Sequence, residues 1–174
     1  CKINIVMDFN MNKNVNIMIA SAKNSKDNSV DFIDAKNIGP ETIISMESKL
    51  NNGEIIAIAG DRTSSKSDKF NLINFLGDEA PFPYGAFLIP ILLKYPTYYF
   101  FALREKDKII PKRYDFYIYE SKIISNIQNK KLNKNNKSEI VLELTKEFAE
   151  IMEKMLLKYP YQWYNMHSFW AKEI

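Results

Sequence analysis

The sequence predicts an α/β fold: a mixed, largely parallel central sheet flanked by helices, with a C-terminal amphipathic helix and an aromatic tail. Three observations carry that prediction. Gly39-Pro40-Glu41 opens a helix, Asn51-Asn52-Gly53 stops it, and the near-continuous apolar run Glu54–Ala59 follows at once. A strand of that kind, entered from a helix, is typical of the buried interior of a parallel sheet. Thr97–Arg104 and Tyr114–Tyr119 read as aromatic strands joined by a charged turn, and therefore as antiparallel partners. Glu139–Lys158 places Ile140, Leu144, Phe148, Ile151 and Met155 at helical spacing, with Ser138 as N-cap.

The remaining elements follow in chain order. Residues 1–13 fit a strand (Ile3, Ile5, Met7 and Phe9 alternate) or one helical face (Ile3, Val6, Met7). Val15–Ala20 and Val30–Asp34 read as short strands. In the first helix Pro40 suits the first turn, Glu41 its positive end, and Gly53 the left-handed cap. Phe70–Phe75 is a further strand, turned by Gly77-Asp78-Glu79. Tyr84–Lys94 is a short buried helix, kinked or bounded by Pro90, and the contiguous aromatics that follow are expected to be mostly buried. Residues 125–137, rich in Asn and Lys, read as a mobile surface loop.

Composition narrows the classes. The 174 residues suit one domain, 1–174, and 46% apolar with 26% charged residues belongs to a folded chain. One cysteine and one histidine exclude a disulfide framework and most His- or Cys-based metal sites, so no metal is expected. A net charge of +3 is too small for a dedicated nucleic-acid binder and suits an acidic membrane surface or a phosphorylated substrate. Tyr84–Leu103 has the length of a membrane span, but Pro90, Pro96 and Lys94 interrupt it, and a buried helix followed by a strand explains it better.

Three segments are candidates for chemistry. Gly60-Asp61-Arg62 directly follows the apolar strand, where ligands gather in open α/β sheets, and the Arg62 fork suits phosphate or carboxylate. A turn closed by a structural Asp–Arg pair accounts for the tripeptide equally well. Pro83, Tyr84, Gly85, Ala86 and Phe87 form a proline-fixed entry to a helix whose free amides suit an anion, or simply a rigid turn. Tyr159–Trp170 is dense in aromatics, either as a lid on the core or as an apolar boundary. His167 has no orienting partner at a telling spacing and reads as structural.

Taken in order, these segments resemble the lysophospholipid acyltransferase superfamily, in particular its lipid A (lauroyl/myristoyl) acyltransferase branch. Gly53–Arg62 looks like that family's second block. Phe75-Leu76-Gly77 with Ala80–Phe87 looks like the third, the helix with Tyr95-Pro96-Thr97 the fourth, and Tyr159–Asn165 with Phe169-Trp170 the C-terminal signature. The family's catalytic block, His followed five residues later by Asp or Glu, has no counterpart here: five residues after His167 stands Lys172. By the family's layout the block lies before Val15, upstream of Cys1, so the chain resembles the C-terminal portion of an acyltransferase domain.

The resemblance implies a bacterial enzyme of lipid biosynthesis. It would move a fatty acyl group from a thioester, on acyl carrier protein or CoA, to a hydroxyl of a glycolipid or lysophospholipid, with no bound cofactor. It also implies a peripheral place on the cytoplasmic face of the inner membrane and dependence on the missing N-terminal part of the same protein, and the small net charge leaves no nucleic-acid partner expected. Asp61, Arg62, Pro83, Tyr84, Gly85, Ala86 and Phe87 would bind substrate, and this chain alone would be inactive. The Tyr84–Leu93 and C-terminal aromatic segments would line an acyl groove or face the bilayer. The alternative is a non-catalytic lipid- or protein-binding module of the same fold.

Overall fold

The computed structural model describes residues 1–9, 29–62, 69–104, 113–127, 134–164 and 169–170. The strand expected at Val15–Ala20, the turn Glu105–Lys112 and His167 lie outside them. The chain is mixed α/β. It divides into two compact units, Cys1–Ser65 and Lys66–Ile174, where the sequence suggested one domain.

The first unit is built on β1 (Ile3–Met7), β2 (Val30–Asp34) and β3 (Ile55–Ile58), with α1 (Pro40–Asn51) between β2 and β3. The strands are all parallel in the order β2-β1-β3, with Met7 opposite Asp34 and Val6 opposite Ile58. The ambiguity over residues 1–13 thus resolves to a strand at Ile3–Met7. Helix α1 ends as its sequence requires. Gly53 takes a positive φ of 76°, and the Gly53 and Glu54 amides donate to the Leu50 and Lys49 carbonyls at 3.0 Å each. These two bonds satisfy carbonyls that the helix end leaves open.

Met46 and Val6 form the apolar interior, and the fully buried Asn4 is the polar tie. Its amide donates to Glu54 Oε2 (2.8 Å) and the Ile55 carbonyl (3.2 Å), and its oxygen accepts from Lys49 Nζ (2.7 Å). Asn4 therefore joins β1 to the last turn of α1 and the entry of β3. Lys49 also pairs with Asp31 at 3.3 Å. Burial opposes ionisation of Asp31, but the Phe32 amide, Lys49 and Lys2 outweigh it and hold the carboxyl below its ordinary range.

The second unit holds two antiparallel hairpins, β4 (Phe70–Phe75) with β5 (Asp78–Pro83) and β6 (Tyr98–Arg104) with β7 (Tyr114–Glu120). Helices α2 (Tyr84–Leu93), α3 (Lys122–Ile127) and α4 (Lys134–Lys158) complete it. The single, largely parallel sheet expected from sequence is corrected here: the described strands form three separate sheets, of which only β2-β1-β3 is parallel. The reason is local. A two-residue connection between Phe75 and Asp78 permits only an antiparallel return.

Leu76 and Gly77 make that connection, both at positive φ (54° and 95°), the signature of a type I′ turn. The turn expected at Gly77-Asp78-Glu79 gives way to strand at Asp78, and that strand runs to Pro83. Residues 81 and 83 point their backbone nitrogens to the same side, and the Tyr84 amide, of opposite parity, donates back to the Lys69 carbonyl (3.0 Å). Both prolines therefore face the unpaired edge, where a missing donor costs no ladder bond.

Phe148 on α4 is the packing node. Its ring meets Phe82 of β5 (6.2 Å), Phe87 of α2 (5.5 Å), and Tyr99 and Phe101 of β6 (5.5 and 6.2 Å). Of the loop expected across 125–137, residues 125–127 belong to α3 and residues 134–137 to α4, and Ser138 is no N-cap but lies inside α4. The segment Tyr84–Leu103 is a ten-residue helix followed by a strand, and among the described residues no helix is long and apolar enough to cross a membrane.

Leu76 is a branched residue held in the left-handed region. Leu76→Asn is expected to stabilise the protein by about 1 kcal/mol, because asparagine visits that region far more readily. Denaturant midpoints of the two proteins check this, and an unchanged or lower midpoint for the variant would contradict it.

Candidate functional site

Parallel strands deliver their carboxyl ends to one rim. In the first unit those ends carry Asp8 after β1, Asp34 at the end of β2, and Ala59-Gly60-Asp61-Arg62 after β3. The order β2-β1-β3 also places a reversal of strand order between β1 and β3, the position where open α/β sheets bind ligands.

The rim is organised by two carboxylates. The Asp8 side chain is only 2% exposed and pairs with Lys36 Nζ at 3.2 Å. Asp34 caps the short 3-10 turn Ala35–Asn37, accepting from the Lys36 amide (3.1 Å) and from Asn37 Nδ2 (2.7 Å). The cap fixes the turn that carries Lys36 over Asp8. Asp61 is half-buried and Arg62 exposed. An exposed guanidinium at the rim can take a phosphate or carboxylate in a bidentate grip. Among the described residues no group of three or more His, Cys, Asp or Glu side chains is placed to hold a metal ion.

The second set of expected site residues lies in the other unit, at the junction of β5 and α2. Pro83 is the N-cap of α2 and Tyr84 its first residue, so the helix opens one residue before Gly85. The Tyr84 amide is taken by Lys69, the Lys69 ammonium sits 3.7 Å from the Tyr84 ring centre, and the Tyr84 hydroxyl lies 3.5 Å from Ser138 Oγ. Gly85 is exposed, with no atom within 4 Å of where a Cβ would stand, and its φ is ordinary. Ala86 is half-buried against the core, and Phe87 is buried against Phe148. Of the five, Gly85 presents the most open surface and Phe87 the least.

The C-terminal aromatics divide. Trp163, Phe169 and Trp170 pack back on Phe75, and Trp170 Nε1 donates to the Phe75 carbonyl (3.1 Å), so this part is a lid on the core. Tyr161 and Tyr164 stay exposed.

Two polar centres escaped the sequence reading. One is Asp8; its signal was an acid ending an alternating apolar strand. The other is Glu147, on the inward side of α4 one residue before Phe148. Its carboxylate accepts from Tyr99 Oη (2.9 Å), Ser121 Oγ (2.6 Å) and the Lys122 amide (3.1 Å). Burial, reinforced by that carboxylate, pushes the Tyr99 phenol well above its ordinary range, so Tyr99 remains a proton donor to Glu147. With every oxygen of Glu147 engaged by its own fold, this centre is a joint between β6, α3 and α4.

Compared with models of known protein families the chain matches none, and compared with curated proteins it has no match.

The open surroundings of Gly85 allow a direct test. Gly85→Ala is expected to leave stability unchanged or raise it by up to about 1 kcal/mol, since alanine favours helix and meets no neighbour. Thermal melts of the two proteins check it, and a loss of more than about 1 kcal/mol would show a backbone constraint at this position.

Proposed function

We propose that this chain is part of an acyltransferase domain of the lysophospholipid acyltransferase kind, acting at a membrane surface. It would transfer a fatty acyl group from an acyl carrier protein or CoA thioester to a hydroxyl of a glycolipid or lysophospholipid. The observation that carries the reading is the exposed Arg62 at the carboxyl rim of a parallel sheet, on the segment whose sequence carries the resemblance. The parallel β2-β1-β3 sheet supports a ligand-binding rim of the kind this reading needs.

The chemistry assigns few steps to these residues. A base removes the proton of the acceptor hydroxyl, the oxygen attacks the thioester carbonyl, and the thiolate leaves with a proton. The 174 residues hold no His-x4-Asp/Glu block, so the base comes from outside them. Arg62 is assigned to acceptor phosphate, with Asp61 at its side. Pro83, Tyr84, Gly85 and Ala86 are assigned to substrate binding; buried Phe87 supports them from the core.

A second reading, a lipid- or protein-binding module without catalysis, is favoured by the exposed aromatic residues of β6 and β7. A labelled acyl thioester separates the two. The 174-residue chain by itself is expected to transfer no acyl group. In the protein that carries the histidine block, Arg62→Ala should slow transfer roughly tenfold to a thousandfold, the range for a lost charge stabiliser. Turnover by the 174 residues alone would refute the first expectation, and an unchanged rate in the variant would remove Arg62 from the site.

A further inference from the structure

We infer that the free edge of β7 pairs antiparallel with β7 of a second copy of this chain, joining two β6–β7 hairpins into one four-stranded sheet. The inference does not depend on the acyltransferase reading. It starts from where the backbone groups of the hairpin point. The Arg104 amide donates to Gln162 Oε1 (2.6 Å) and its carbonyl accepts from Gln162 Nε2 (3.0 Å), both away from β7. The Ser121 amide instead donates across the hairpin to the Thr97 carbonyl (2.8 Å). Odd-numbered residues therefore carry the ladder, and even-numbered residues turn their N–H and C=O groups to the outer edges. On β7 those are Tyr114, Phe116, Ile118 and Glu120, and among the described residues β7 pairs with β6 alone. Two other edges of this unit are managed: β5 is blocked by Pro81 and Pro83, and β6 is capped at Arg104 by Gln162. Tyr114–Glu120 holds no proline, glycine or lysine, and its Tyr114, Phe116 and Ile118 are strand formers between 53% and 63% exposed. Tyr98 and Phe100 of β6 are exposed as well, so the aromatics expected from sequence to be mostly buried are half outside.

The space beside this edge is open. A groove of about 750 Å³ is lined by Ile118 and Glu120 from the outer face of β7, by Tyr119 from its inner face, and by Ile151, Lys154 and Met155 of α4. Lining from both faces of one strand places the groove at that strand's edge, and no described residue of β6 takes part. Charge and register select a second copy as the strand that enters there. β7 follows the cation Arg113, whose side chain stays 69% exposed beside Asp115, and ends on the acid Glu120. A complementary antiparallel mate offers a cation at its start and an acid at its end, and β7 reversed does both. Full overlap of the two strands sets Phe116 opposite the partner's Ile118, Tyr114 opposite the partner's Glu120, and Asp115 opposite the partner's Tyr119. Aromatic and β-branched residues then face each other, and no two like charges meet. Even-numbered residues pair with even, which gives about eight backbone hydrogen bonds. The twofold axis of such a pair closes the assembly at two copies.

Sedimentation velocity over a range of concentrations, with amide hydrogen exchange on the same samples, tests the pairing. The wild-type chain is expected to be a dimer at high micromolar concentration. In that dimer the edge amides of Tyr114, Phe116, Ile118 and Glu120 should exchange at least about tenfold more slowly than in the dilute monomer. Ile118→Pro removes one edge donor and no bond of the β6–β7 ladder, while Ile118→Lys keeps the donor and sets a charge opposite the partner's Phe116. Both should weaken the dimer at least about tenfold with an unchanged far-ultraviolet spectrum. Where proline disturbs the hairpin itself, the lysine variant decides. A wild type that stays monomeric would overturn the second copy as occupant and leave the edge to a strand of another protein. A dimer whose edge amides exchange as fast as the monomer's would overturn the edge, since the copies would then meet through outward side chains, and so would a dimer untouched by Ile118→Lys.

Discussion

The parallel pairing of β1 with both of its neighbours is the constraint on which the functional reading depends. An antiparallel neighbour would send its end to the opposite rim. Here β2 and β3 run with β1, so Asp8, Asp34 and Arg62 all emerge on one side. The pairing is secured from the other end. Asn4 accepts Lys49 and donates to Glu54 and Ile55, which ties the start of β1 to the close of α1 and the start of β3. A fully buried amide whose donors and acceptor are all met specifies one register, because a one-residue slip would strand those groups without partners.

In the second unit the deciding contact is the Phe148 ring. It gathers a strand of each hairpin and helix α2, and so settles which side of β6 and β7 is inside. Once Tyr99 and Phe101 are committed to that ring, the pleat forces Tyr98 and Phe100 outward. The exposed aromatic face is the other half of a packing solution, and the residues on it are larger and more apolar than solvation alone favours.

Much of this was legible in the residues. Pro40, Glu41 and Gly53 announced α1 and its ending because each acts through local backbone chemistry. The two aromatic runs Thr97–Arg104 and Tyr114–Tyr119 announced the antiparallel pair β6–β7. What escaped has a common cause. Strand direction in the β4–β5 hairpin depended on a turn at Leu76-Gly77, where leucine gives no sign of a positive φ. The strand at Asp78–Pro83 was hidden by two prolines whose harmlessness depends on which edge they face. The contiguous aromatics of β6 read as buried because period two becomes visible only when one knows what lies on each side. The start of α4 was masked by a stretch whose asparagines and lysines read as loop. In the candidate site, Arg62 stood out by type and position, and Asp8 became visible only when its pairing with Lys36 was formed.

The central claim is that the carboxyl rim of β2-β1-β3 receives the phosphate-bearing acceptor through Arg62. Titrating isotope-labelled protein with a short-chain lysophosphatidic acid, below its micelle concentration, and following the arginine side-chain resonances tests it most directly. The account predicts saturable shifts of the Arg62 resonance and of the backbone at residues 59–62, lost in Arg62→Lys, where the planar fork is gone. Shifts confined to other arginines, with residues 59–62 unmoved, would contradict it.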